Sequence, residues 1–217
     1  AESLGIAWLC TPFSLEEARF LVEEIGVPAL KIASGDLTFT PLLKYAASTR
    51  LPVILSTGGA TLSEVETALH VMNPDGIDTI PVAVLHCVSV YPCADELANL
   101  RAITTLSEQL FYMRISAPQT FGFSDHTLSY DLVPALAVAS GGTVLEKHLR
   151  LVEDITSIDA AHSLSPYHFS RYVQAAHHAS RILGSGIKEP HELELHDRLW
   201  ARRGSDGLRP TDEARQG

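Results

Sequence analysis

The stretch FGFSDHTLSYDLVPALAVASGGTVLEKHL, residues 121–149, reads as one complete strand–helix–strand unit. FGFSD is a short apolar run that ends in polar residues. LSYDLVPALAVAS is a helical crossover, and Gly141-Gly142 lead into a second run, TVLEKHL. A crossover of that length joins parallel strands, because antiparallel neighbours need only a tight turn. The same alternation continues upstream. Apolar runs begin at Ile6 (IAWLC), Ala29 (ALKIAS), Pro52 (PVILST) and Val82 (VAVLHC), so the six run starts are separated by 23, 23, 30, 39 and 22 residues. The runs are nearly continuous instead of alternating, as expected for parallel strands covered on both faces.

Helix starts fall between the runs. Ser14 with Glu17 and Thr61 with Glu64 fit the S/T-x-x-E capping box. Ser165-Pro166 is an N-cap and first-turn pair for PYHFSRYVQAAHHASRIL, which Gly184 closes. Repeated βα units build either an open doubly wound sheet or a closed barrel. No G-x-G-x-x-G follows the first run, which disfavours the dinucleotide-binding version. Polar residues instead close nearly every run: Ser34, Ser56-Thr57, His86, Ser124 to Thr127, and Glu146 to His148. In a barrel these ends form a ring at the C-terminal face, where barrel active sites lie. The expected fold is therefore α/β, of the (β/α)₈ TIM-barrel type. The barrel domain is expected over residues 1–184, with a helix near Leu193 to Trp200 and a charged tail over residues 185–217.

At 217 residues and 46% hydrophobic, the chain can bury a sizeable core. Its net charge of −10 argues against a nucleic-acid surface, while leaving room for a local anion pocket. Three cysteines with no CxxC fit a reduced, cytoplasmic setting, and no run reaches the roughly 20 apolar residues of a membrane helix.

The strand ends carry the chemistry. Ser124 and His126 share one strand face, as do Glu146 and His148. If the two strands are neighbours about 5 Å apart, both imidazoles can hold one divalent metal. Asp125 and Glu146 would supply hard carboxylates beside it, suited to manganese, iron or zinc. Taken singly, His126 is as simply a helix-capping turn residue and His148 a rim histidine. Lys31 lies inside an apolar strand, where a cation is costly without an anion. The following Ser34-Gly35 turn offers a hydroxyl and backbone donors; the simpler alternative is a snorkelling lysine. STGGAT from Ser56 runs into a helix N-terminus that favours an anion, although such turns are often only steric. Cys87, in an apolar strand, reads as a small buried residue more than as a nucleophile.

KIASGD (31–36), LPVILSTGGAT (51–61), LHCVSVYP (85–92), GFSDHT (122–127) and EKHL (146–149) occur in order, and as a set they resemble the N-acetylneuraminate (sialic acid) synthase family. The resemblance runs from about Gly5 to Gly184. It implies a cytoplasmic TIM-barrel enzyme that condenses phosphoenolpyruvate with an N-acyl amino sugar such as N-acetylmannosamine, with C–O cleavage of phosphoenolpyruvate. His126 and His148 match the pair that binds the divalent metal, manganese, with magnesium or cobalt as substitutes. Lys31, Ser34, Ser56 and Ser124 match the phosphoenolpyruvate contacts. Tyr91 and Asp159 match positions that contact the sugar, and Ser89 lies in the same loop, where other members carry different residues. Glu146 joins the two histidines as a catalytic candidate. Against the family pattern the chain is expected to lack the first two βα units and the C-terminal antifreeze-like domain, and to form a homodimer. Two rivals stand beside this function. One is a related sugar-phosphate synthase or a Schiff-base aldolase using Lys31. The other is an inactive, truncated barrel serving as a binding or assembly module.

Overall fold

Five of the six apolar runs form strands: β1 (Leu30–Ile32), β2 (Val53–Ser56), β3 (Val82–Cys87), β4 (Gln119–Asp125) and β5 (Val144–Lys147). The computed structural model describes residues 1–74, 80–112 and 119–216. All strands are parallel, and each pairs with its predecessor in the order β1-β2-β3-β4-β5. This unreversed order is that of a barrel wall, not of a doubly wound sheet, whose order reverses at a switch point.

The sheet is strongly curled. In a flat sheet, four spacings would put β1 and β5 roughly 19 Å apart, beyond the combined reach of two side chains. Yet Lys31 Nζ on β1 lies 3.6 Å from Glu146 Oε1 on β5. The two edge strands therefore lean towards each other over a concave face, and the described strands make an α/β half-barrel.

The convex face is covered by helices. Leu30, Ile32, Val53, Leu55, Val82 and Val84, every second strand residue, are fully buried, in one cluster with residues of α1 (Leu15–Arg19), α2 (Thr40–Ser48), α3 (Leu62–Met72) and α4 (Arg101–Tyr112). Phe123 extends this core to α5 (Leu132–Ala139) through Val133 and Ala137. The caps form as expected: Ser14 Oγ accepts from Glu17 N–H (3.1 Å), and Thr61 with Glu64 makes a full capping box. Ser165 Oγ accepts from His168 N–H at the start of α6 (Pro166–Leu183), and Gly184 follows with φ +63°. Gly122 is required where β4 meets β5, because a Cβ there would lie 1.9 Å from the Val144 carbonyl oxygen.

The sixth expected strand does not form. Ile6 to Cys10 pairs with no described strand, and Ile6 (59% exposed) and Trp8 (44%) face outward. An apolar run becomes a strand only with a ladder partner, and composition alone does not supply one. From Leu183 onward the chain forms a second unit with its own contacts. There the helix expected near Leu193 to Trp200 is present as a 3₁₀ turn (Glu192–Glu194) running into α7 (Leu195–Ala201), and α8 (Asp212–Gln216) adds a helix that sequence periodicity does not reveal. Arg215 holds it by pairing with Asp206 (2.5 and 2.9 Å) and with Asp212. No described helix is long and apolar enough to cross a membrane.

Candidate active site

Strand alternation sends Lys31, Ser56, Cys87, Ser124 and Glu146 to the concave face, one from each strand. The register sets Cys87 beside Ser124 and Ser124 beside Glu146. One residue past the last β4–β5 pair, His126 and His148 come side by side, with ring centres 5.4 Å apart.

The first group of side chains is built on Lys31. Its ammonium donates to Ser56 Oγ (2.8 Å) and the Ile32 carbonyl (3.0 Å), and Ser56 Oγ donates to Glu146 Oε2 (3.3 Å). Burial pushes the Lys31 pKa down, opposed by the Glu146 carboxylate. Beside it, Gly58 N–H donates to Ser34 Oγ (2.9 Å). Ser34 Oγ, Cys87 Sγ and Ser89 Oγ crowd round this glycine so closely that a Cβ would meet them at 3.0, 2.9 and 2.2 Å. The result is a cation, several hydroxyls and a carboxylate on one wall, the donor set an anionic substrate needs.

The second group is aromatic and ionisable. Tyr91 lies against the His126 ring (4.1 Å between centres), and His162 reaches within 4.5 Å of the His148 ring. Asp159 stands between two imidazoles, with Oδ2 3.6 Å from His148 Nδ1 and Oδ1 3.3 Å from His162 Nε2. His126 Nδ1 lies 2.9 Å from the Val88 carbonyl oxygen, which can only accept, so Nδ1 carries the proton and Nε2 presents a lone pair. Burial pushes the pKa of both His126 and His148 down, and the neighbouring His162 adds to this at His148. Neutral imidazoles with free lone pairs are the form that ligates a metal. His162 Nε2 is buried and has no hydrogen-bond partner. These residues fit a divalent cation.

The opposite face explains how the histidines are held. Lys147, between Glu146 and His148, points away from them into the protein and donates to the carbonyls of Asp125 (3.2 Å) and Thr127, on either side of His126. Its ammonium also lies 3.5 Å from Asp125 Oδ1, with both side chains fully buried, and 6.0 Å from the Tyr172 ring centre. One buried cation thus ties the turn carrying His126 to the strand end carrying His148.

The ten expected site residues lie in or between these two adjoining groups, Ser124 by its register beside Glu146, with two differences from the sequence-based expectation. Asp125 is no partner for a metal: alternation turns it to the other face, where Lys147 holds it. Glu146 is engaged by Lys31 and Ser56 and not by an imidazole. Asp159, expected at the sugar, also lies beside His148 and His162. Sequence reasoning missed His162, although its i,i+3 spacing from Asp159 is a usable signal on a helical turn. It also missed Lys147, to which the argument used for Lys31, a cation within an apolar strand, applies equally. Cys87 is buried 3.8 Å from His126 Nδ1, whose proton is already committed to Val88, so that nitrogen offers no base to the thiol.

A sequence model of the NeuB family matches residues 1–188. N,N'-diacetyllegionaminic acid synthase from Legionella pneumophila is 38% identical over 205 residues, covering 94% of this chain and 55% of that protein. Pseudaminic acid synthase from Helicobacter pylori is 34% identical over 190 residues, covering 88% and 52%. Among solved structures, N-acetylneuraminic acid (sialic acid) synthetase from Leptospira borgpetersenii in complex with citrate superposes with a TM-score of 0.81 at 37% identity, covering 90% of this chain and 65% of that one. The chain spans about half the length of the curated relatives it matches.

Proposed function

The chain belongs to the NeuB family, and from that premise we propose that it is a nonulosonic acid synthase. It condenses phosphoenolpyruvate with N-acetylmannosamine or a related N-acyl hexosamine, in a metal-dependent reaction. The observation that carries this reading is the meeting of two unlike groups on one concave face: a buried lysine among hydroxyls, and the paired imidazoles of His126 and His148, whose pKa burial pushes down.

The residues divide the work. Lys31, with Ser34, Ser56 and Ser124, holds the carboxylate and phosphate of phosphoenolpyruvate; a buried ammonium binds such groups well because little water competes. Tyr91, Ser89 and Asp159 orient the open-chain sugar. A divalent ion held by His126 and His148, manganese in this reading, would polarise the sugar aldehyde. C3 of phosphoenolpyruvate forms a bond to the aldehyde carbon, whose oxygen takes up the electron pair and a proton. Water then adds at C2, and phosphate leaves with its bridging oxygen by C–O cleavage. Glu146, half-exposed beside Ser56, is placed to take the proton that the water gives up.

The test is phosphate release from phosphoenolpyruvate with N-acetylmannosamine and manganese. The parent protein releases phosphate only when both substrates are present, and His148→Ala reduces the rate by at least a hundredfold. Release by the variant at the parent's rate would refute the role of the imidazoles.

A further inference from the structure

Behind the catalytic wall the fold leaves a second cavity, of about 320 Å³, between α3 and α4. Thr57 and His86 line its sheet side. They alternate with Ser56 and Cys87, so they face the helices while those two face the catalytic side. The volume lies at the lower end of the roughly 300–1,000 Å³ range of small-molecule sites, enough for one sugar ring. We propose that this cavity is a binding site for a monosaccharide acid, a ligand with several hydroxyls and one carboxylate. The inference goes beyond the synthase reading and uses none of the residues assigned to it.

Three observations carry it. The first is charge. Arg101 lines the cavity, its guanidinium has no partner among the described residues, and no carboxylate contributes to the lining. In a chain of net charge −10, an unshared guanidinium beside an acid-free cavity favours an anion. Its planar fork matches a carboxylate through two parallel hydrogen bonds.

The second is the direction of the hydrogen bonds. Thr57 Oγ1 donates to the Leu85 carbonyl (2.9 Å), and Thr105 Oγ1 donates to the Arg101 carbonyl (3.2 Å). His86 Nε2 lies 2.9 Å from the Ala98 carbonyl oxygen, which can only accept, so Nε2 carries the proton. Burial pushes the His86 pKa down and keeps the ring neutral. All three side chains have thus spent their proton on the backbone. What they have left is lone pairs, on two hydroxyl oxygens and on Nδ1, which has no partner among the described residues. A ligand that satisfies them must bring the donors itself, as sugar hydroxyls do and a simple fatty carboxylate does not.

The third is the apolar lining and its stiffness. Leu62 and Val65 of α3 and Leu106 of α4 supply the apolar part. A pyranose presents C–H groups on its faces and hydroxyls round its edge, so one ring meets both kinds of surface. The acceptors are also fixed before any ligand arrives. Thr57 N–H donates to the same Leu85 carbonyl (3.0 Å), and Ala60 N–H closes the turn on the Thr57 carbonyl (3.1 Å).

The experiment titrates the unmutated chain with D-glucuronate and, in parallel, with D-glucose and with propionate, followed by ligand-observed NMR. Glucuronate should bind with a Kd of about 1 mM, the strength a ligand of its size typically reaches. Glucose lacks the carboxylate and propionate lacks the hydroxyls, and each should bind at least about tenfold more weakly. Arg101→Gln and Thr105→Val, both at exposed positions of α4, should weaken glucuronate binding by about fivefold or more. No binding at about 10 mM glucuronate, equal binding of all three probes, or parent-like affinity in Arg101→Gln would overturn the proposal. Binding that is lost in Lys31→Met but kept in Arg101→Gln would place the sugar acid on the catalytic face and overturn it as well. The three-probe comparison needs no variant, so a folding defect in any of them leaves the test intact. Phosphate release from phosphoenolpyruvate tests the synthase reading separately, so either can fall without the other.

Discussion

Replacing Lys147 by methionine keeps the length of the side chain and deletes its charge. The ammonium lies 3.5 Å from Asp125 Oδ1, both side chains are buried, and Asp125 Oδ2 has no hydrogen-bond partner. At an effective dielectric near 20 the lost attraction is about 5 kcal/mol, and removing one partner of a buried pair costs roughly 3–5 kcal/mol. Two carbonyl acceptors, those of Asp125 and Thr127, lose their donor as well. For a chain of this size that corresponds to a fall in Tm of about 6–20 °C. Urea denaturation of the parent, Lys147→Met, Asp125→Asn and the double variant closes a thermodynamic cycle. The double variant should be more stable than Lys147→Met, because it no longer buries a lone carboxylate. A loss below about 1 kcal/mol for Lys147→Met, or additive costs in the double variant, would refute the clamp.

Burial lowers the pKa of His86, His126 and His148 below 6.5. The unfolded chain then takes up protons near 6.5 that the fold refuses, so stability is complete above that pH and is lost as pH falls below it. The urea midpoint of metal-free protein should drop between pH 7.5 and 5.5, and less steeply in His86→Gln, whose amide can still donate to the Ala98 carbonyl; a midpoint that rises on acidification contradicts this. Gly58→Ala places a methyl group against Ser89, Cys87 and Ser34, and should raise KM for phosphoenolpyruvate about tenfold, at roughly 1–3 kcal/mol of stability. An unchanged KM would remove this turn from the anion site. Lys31 Nζ is engaged by Ser56, the Ile32 carbonyl and Glu146 and is not free to attack a substrate carbonyl, so borohydride should trap no substrate adduct; a trapped adduct on Lys31 would favour the Schiff-base aldolase instead.

The parallel βα repeat was legible because it depends on local signals: apolar runs, capping residues and crossover lengths. The juxtaposition of His126 and His148 was legible for the same reason, since both lie one residue past paired strand ends. What the sequence does not carry is partnership. Ile6 to Cys10 has the composition of a strand and no described neighbour to pair with. His162 reaches the imidazole cluster only because its loop folds back onto β5 through the Leu149–Leu164 bridge, a tertiary event without a periodic signature. Lys147 was passed over because it alternates with the two residues that drew attention and serves the face behind them.

The contact between Lys31 and Glu146 also has a consequence in time. The two residues are contributed by the first and last described strands of the sheet, while backbone pairing joins each strand only to its neighbours in chain order. Strand pairing can thus proceed stepwise as the polypeptide emerges, each new unit docking on an existing edge. Until β5 arrives, the Lys31 ammonium has no carboxylate and His126 lacks the neighbouring imidazole of His148. Binding competence therefore requires β5 to have docked, which makes occupancy of the site by substrate or metal a direct kinetic probe of when β5 joins the sheet.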